Sequence, residues 1–141
     1  MSSRTSRPPR SQQVARWVAG AGMAFAGISH LTFARDGFQA QVPNWVPMDT
    51  DEVVLLSGAV EISLGLGLVA LPKERRRMAG LTTAFLVAVF PGNIAQYRNR
   101  ADGLGLDSDR KRFVRLLVEP LMWATALHAG GLLPTRPGRR R

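Results

Sequence analysis

Four polar side chains lie inside otherwise apolar stretches of the chain: His30, Glu61, Asn93 and Glu119. An imidazole beside a carboxylate can pass a proton, and an amide beside a second carboxylate can fix a ligand through paired donors and acceptors. An apolar slot ending in such groups suits a small apolar molecule, and quinone chemistry in particular couples electrons to protons. Other chemistries are excluded. The chain has no Cys, which removes disulfides, thiol nucleophiles, iron–sulfur clusters and Cys-ligated zinc. One His with two carboxylates offers too few preferred ligands for a transition metal, so no metal is expected. No Ser-His-Asp set, phosphate loop or dinucleotide fingerprint occurs, so catalytic residues stay unassigned. The competing reading is structural, with His30 and Glu61 acting as glue between helices worth about 1 kcal/mol.

These residues sit in four apolar segments, Val14–Phe33, Val53–Leu71, Met78–Tyr97 and Phe113–Leu133. Each approaches the roughly 20 residues that a helix needs to cross about 30 Å of hydrocarbon. The third segment is uncharged and apolar around its circumference, where a soluble bundle helix carries a charged face. The 141 residues suit one domain, and the expected fold is all-α: a bundle of four transmembrane helices over residues 14–133. A basic, disordered cytoplasmic tail is expected over residues 1–13 and a second basic tail over 134–141.

At a rise of about 1.5 Å per residue, Glu61 lies about 12 Å, and Glu119 about 9 Å, from the start of its segment. His30 lies about one turn from the end of the first segment, and Asn93 and Gln96 fall in the last turns of the third. In an up-down bundle these ends coincide, which brings His30, Glu61, Asn93 and Glu119 to one half of the membrane. Buried ionisable groups there require a partner, a water cavity or a function. Pro91 lacks an N–H and its ring crowds the carbonyl of Val87, so a kink is expected, with Asn93 able to satisfy freed backbone groups. Pro120 offers a second distortion beside Glu119. His128 falls in the opposite half and reads as a satisfied structural histidine.

Lys and Arg set the expected orientation. Arg4, Arg7, Arg10 and Arg16, the run Lys73, Arg75, Arg76 and Arg77, and Arg136, Arg139, Arg140 and Arg141 fall on one side. They outnumber Arg35, Arg98, Arg100, Arg110, Lys111, Arg112 and Arg115 on the other, so both termini are expected in the cytoplasm. The net charge of +9 therefore reads as topology signals and contacts to anionic lipid. With no aromatic interleaving and no recognition helix, nucleic acid is not an expected partner. The Arg-rich start, the apolar stretch from Trp17 and Ala24-Phe25-Ala26 loosely fit a cleaved leader, but His30 and the loop after it fit a retained span better.

Between the first two segments, Val42-Pro43-Asn44-Trp45-Val46-Pro47 reads as a rigid stretch with Trp45 at headgroup level, either a lid over the polar cluster or a plain interfacial anchor. Gly20 with Ala24, and Gly58 with Ala59, are candidates for close helix contact; generic membrane-helix composition explains them equally well.

Gly27-Ile28-Ser29-His30, Phe38, the Val42–Pro47 stretch, Ser57-Gly58-Ala59-Val60-Glu61 and Phe90-Pro91-Gly92-Asn93 follow one another in order. Together they resemble the DoxX-like family of small four-helix integral membrane proteins, over residues 14–133. The chain departs from the family at Leu31, where members often have Phe, and at Gly92, where they often have Ala. The resemblance implies a multi-pass protein of the cytoplasmic membrane. Some relatives are subunits of thiosulfate:quinone or quinol-oxidising complexes, some are linked to oxidative-stress or thiol-redox complexes, and many have no established biochemistry.

On that resemblance the chain is expected to be a redox-associated subunit binding a quinone or other small apolar ligand. His30 would bond a carbonyl, Glu61 would exchange its proton, and Asn93, Glu119 and Trp45 would complete the pocket. Electrons would have to come from a membrane redox partner or a bound cofactor such as the quinone itself. The alternative is a non-catalytic scaffold or assembly factor in which the polar cluster fixes helix pairing and glycine faces bind another membrane protein or a second copy. A small-solute or proton carrier is a third reading, for which four short helices leave little room.

Overall fold

The computed structural model describes residues 7–134, and among these the chain is helical with no strand. The elements are α1 (Arg10–Leu31), α2 (Arg35–Phe38), a 3-10 turn at Gln39–Gln41, α3 (Thr50–Ala70), a 3-10 turn at Pro72–Glu74, α4 (Arg75–Arg98) and α5 (Asp109–Ala129). Residues 1–6 and 135–141, most of the expected tails, lie outside the described residues. Arg10–Gln13, expected in the disordered tail, are instead the first turn of α1. Proline ends the preceding segment, and the carbonyl of Pro9 accepts from the backbone N–H groups of Gln12 and Gln13.

Local chemistry sets the other ends. The Asp49 carboxylate caps α3 by accepting from the N–H groups of Asp51 and Glu52, and two acids in the first turn suit the helix dipole. Ser108 caps α5 by accepting from Lys111 N, which starts that helix before the expected Phe113. Beyond Ala129, Gly131 takes φ +65°, a left-handed conformation that ends the helix without steric cost. Pro91 and Pro120 both lie inside unbroken helices.

Two stretches, Thr50–Ala70 and Pro72–Arg98, are long and apolar enough to cross a membrane. A third qualifies if Arg10–Leu31 and Arg35–Gln41, bent by 99°, are taken as one broken span. The expected fourth span does not pass on length and composition, since α5 carries Arg112, Arg115 and Glu119 within its apolar run. Large apolar side chains face outward, among them Trp17, Phe25, Leu66, Leu81, Leu117 and Leu121. In water such a surface is an aggregation liability, whereas lipid solvates it.

The four long helices form a closed ring in chain order. Arg16 near the start of α1 reaches the end of α3, while His30 near the end of α1 meets Ser57 near the start of α3. Met78 of α4 covers Gly67 of α3, Gly130 after α5 meets Ala79 of α4, and His128 of α5 meets Ser11 of α1. Neighbours are therefore antiparallel throughout. The centre is apolar, with Met23, Leu64 and Leu86 buried and Phe85, Met122 and Trp123 packed against them.

The α1–α3 seam is closed by glycine. A Cβ on Gly27 would stand 2.5 Å from the carbonyl oxygen of Gly58, and one on Gly65 would stand 2.5 Å from that of Gly20. Gly20 and Gly58 thus make the close contact expected of them, but Ala59 does not, being exposed. At one end of the bundle the buried Arg16 donates from Nη1 to Leu68 O and Val69 O, each at 2.7 Å, capping the carbonyl end of α3. His128 Nε2 lies 3.2 Å from Ser11 Oγ, a tie between α5 and α1.

Candidate functional site

At the opposite end the helices diverge around a cavity of about 250 Å³, and α2 with the stretch after it closes over the opening. His30, Trp45, Glu61, Asn93 and Glu119 all line this cavity. The level counted along each helix from the sequence is therefore also one place in space. Most of the wall is apolar, with Met23, Leu86, Val54 and Met122 among the lining groups.

On the α1–α3 side, Ser57 Oγ donates to Val54 O at 2.9 Å, so its lone pair is free to accept from His30 Nδ1 at 3.0 Å. Glu61 Oε2 lies 3.1 Å from the same nitrogen, a contact between two buried residues. Nδ1 carries at most one proton, which Ser57 Oγ and Glu61 Oε2 share or compete for. Phe38 from α2 lies against the imidazole, ring centroids 3.5 Å apart, and holds it in place.

On the α4–α5 side, Asn93 Nδ2 donates to Glu119 Oε1 at 2.8 Å. Arg115 Nη1 lies 2.6 Å from the same oxygen, one turn back along α5, as a charge contact without hydrogen-bond alignment. Glu119 is 1% exposed, so this guanidinium is its neutralising partner. Of the polar atoms on these lining residues, Asn93 Oδ1 and Glu119 Oε2 have no partner, while Glu61 Oε2 and Arg115 Nη1 are held only by charge contacts, to His30 and Glu119 respectively, without an aligned hydrogen bond. A buried polar atom left without any partner costs about 1–3 kcal/mol.

Arg115 is the member that sequence reasoning misses. Counted as a topology charge, it carries a readable signal in its spacing: an Arg four residues before a Glu in an apolar stretch shares that residue's helix face. Gln96 also belongs to the architecture. It is buried at the end of α4, accepts from Gln41 Nε2 at 3.0 Å and donates to Ala101 O and Gly103 O. It thus ties the covering segment to the loop between α4 and α5.

The covering segment presses on α4 at Gly92, where an added Cβ would collide with the backbone oxygen of Gln41. Val42, Pro43, Trp45 and Val46 then run along the cavity mouth, with Trp45 75% exposed. Arg35 Nε donates to Asp51 Oδ1 at 2.6 Å and fixes α2 against the first turn of α3. In the loop before α5, Asp107 is held below the ordinary carboxylate range by its hydrogen bond from Lys111.

No curated protein and no solved structure matches the chain. A match to a family of sequences spans residues 19–129, which include every wall of the cavity. The chain belongs to the family described as Domain of unknown function (DUF8561).

Proposed function

We propose that the chain is a multi-pass protein of the cytoplasmic membrane that binds a small apolar ligand with a polar head, of the quinone type, in the cavity between its four long helices. The observation that carries this reading is the convergence of Glu61, Asn93, Glu119 and Arg115, each with a buried polar atom that makes no aligned hydrogen bond, on the wall of an otherwise apolar cavity. A ligand whose head both accepts and donates hydrogen bonds satisfies them, and the apolar wall takes the rest.

All four long helices span in this reading, including α5, whose Arg115 and Glu119 neutralise one another inside the bundle. The ring of antiparallel helices then places both termini on one side, the cytoplasmic side by the excess of Lys and Arg there. Resemblance to the DoxX-like family supports the membrane location and a role as a subunit beside a redox partner. The chain would hold the ligand, with Glu61 and His30 exchanging its protons, and would pass no electrons itself. The scaffold reading draws support from the Asn93–Glu119 and His30–Ser57 bonds, which join helices without any ligand.

The test is a titration of detergent-purified protein with decylubiquinone, followed by tryptophan fluorescence, beside Trp45→Phe and Asn93→Leu. Saturable quenching is expected in the wild type, largely lost in Trp45→Phe and shifted to about tenfold higher ligand concentration in Asn93→Leu, the loss of roughly one hydrogen bond. Weak, non-saturating quenching that is the same in all three proteins would overturn the reading.

A further inference from the structure

A second cavity, about 230 Å³, opens on the flank formed by α1, α4 and α5, and its wall is nearly all apolar. Three residues line both cavities: Met23, Leu86 and Met122. They form the partition between the two spaces, and two of the three are methionines, whose unbranched side chains rearrange readily around a guest. Thr82, with no exposure at all, lines the second cavity, and its hydroxyl meets no protein partner. Val18 and Leu121, both well exposed, form the rim on the outer surface.

Size points the same way. Small-molecule sites run from about 300 Å³ upward. Each cavity alone falls short of that, at about 250 and 230 Å³, and the two joined pass it. The charged groups are confined to the first space: the second is lined by two threonines, of which Thr125 donates to Leu121 O, and the first by two carboxylates, two amides, an imidazole, a guanidinium and the Ser57 hydroxyl.

We propose that the two cavities are the head and tail compartments of one site, and that its ligand is an amphiphile whose single apolar chain passes between Met23, Leu86 and Met122 into the space beside Gly22 and Thr82. This rests on the reading that the first cavity takes a polar head, and it narrows the ligand class from any small apolar molecule to a lipid-tailed one. The chain leaves the bundle between Val18 and Leu121, where the surface is already apolar.

Gly22 gives a clean test, because a Cβ there meets nothing within 4 Å and Gly22 lines only the second cavity. Gly22→Phe would fill the tail compartment from its open flank. Gly80→Phe is the control, since Gly80 is equally unobstructed and lines neither cavity. Binding of two probes with the same head, ubiquinone-0 without a tail and decylubiquinone with one, is measured in the same detergent for all three proteins.

The wild type and Gly80→Phe are expected to prefer the tailed probe by the same factor. Gly22→Phe should lose about tenfold or more of that preference, the effect of burying roughly two methylene groups, while binding the tailless probe unchanged. An undiminished preference in Gly22→Phe, with both probes still bound, would overturn the tail compartment and leave the head site standing. Failure of the wild type to bind either probe would overturn the head site, and the tail compartment with it.

Discussion

The side-chain amide of Asn93 donates to Glu119 Oε1 across 2.8 Å, joining α4 to α5 at a depth where neither group has water to turn to. Arg115 approaches the same carboxylate oxygen, leaving the second oxygen without a protein partner. Asn93→Leu should therefore lower stability in detergent by about 1–3 kcal/mol. Arg115→Met should destabilise as well, and the double variant Arg115→Met with Glu119→Gln should recover part of the loss, because the uncompensated charge is then gone. Chemical denaturation of the wild type, Arg115→Met, Glu119→Gln and the double variant gives the coupling directly, expected at about 0.5–3 kcal/mol for residues in contact.

The glycine seam predicts a contrast between substitutions of the same type. Gly27→Ala drives a methyl group into the α3 backbone and should cost about 1–3 kcal/mol, the usual range for overpacking. Gly80→Ala meets open space within a helix and should be neutral or stabilising, by up to about 1 kcal/mol. Thermal melts of the two variants at equal detergent concentration check the sign of each.

Much of this arrangement is legible in the sequence alone. The rise of a helix places Glu61 and Glu119 at one level with His30 and Asn93, and all four line the same cavity. Helix ends are less legible. Hydropathy marks where a chain tolerates hydrocarbon, not where its backbone starts to coil, so α5 begins at the Ser108 cap, ahead of the apolar run. The roles of charged residues are hidden for a related reason. Counting Arg16 and Arg115 as topology signals assumes exposed charges, yet one is buried against backbone carbonyls and the other neutralises a buried acid. The turn of helix at Arg35–Phe38 has no periodic signal, since four residues are too few to show one.

Arg16 carries its own prediction. Its Nη1 reaches two carbonyls at the end of α3 from a planar, pre-organised group, which the flexible lysine stem with its compact ammonium does not reproduce. Arg16→Lys should keep the positive charge and still lose about 1.5–3 kcal/mol, the range for hydrogen bonds to charged groups. Equal stability of the wild type and Arg16→Lys in denaturation would mean that charge alone matters there.

The cover over the cavity should loosen when Gly92 gains a side chain, because Gln41 O occupies the space that a Cβ needs. The absence of native cysteine makes this easy to follow with a single introduced thiol. Val46→Cys is expected to react with a maleimide several times faster in the Gly92→Ala background than alone. An unchanged rate would show that the segment accommodates the methyl group in place.

Orientation is checked in the same way in intact cells. Asn44→Cys and Ala101→Cys, in the two connections at the cavity end, should react with a membrane-impermeant maleimide. Lys73→Cys, in the connection at the other end, should react only after permeabilisation.

The central claim is that the polar groups around the cavity serve a ligand, and the most direct measurement is organic extraction of the purified protein, with quinones and lipids quantified per chain. Glu61→Gln, which keeps the shape and removes the carboxyl group, is carried through the same purification. A stoichiometric quinone or similar amphiphile in the wild type, absent from a Glu61→Gln protein that still melts cooperatively, is the predicted result. No bound molecule in either protein, with Glu61→Gln merely less stable, would contradict it and reduce the cluster to a fastening between helices.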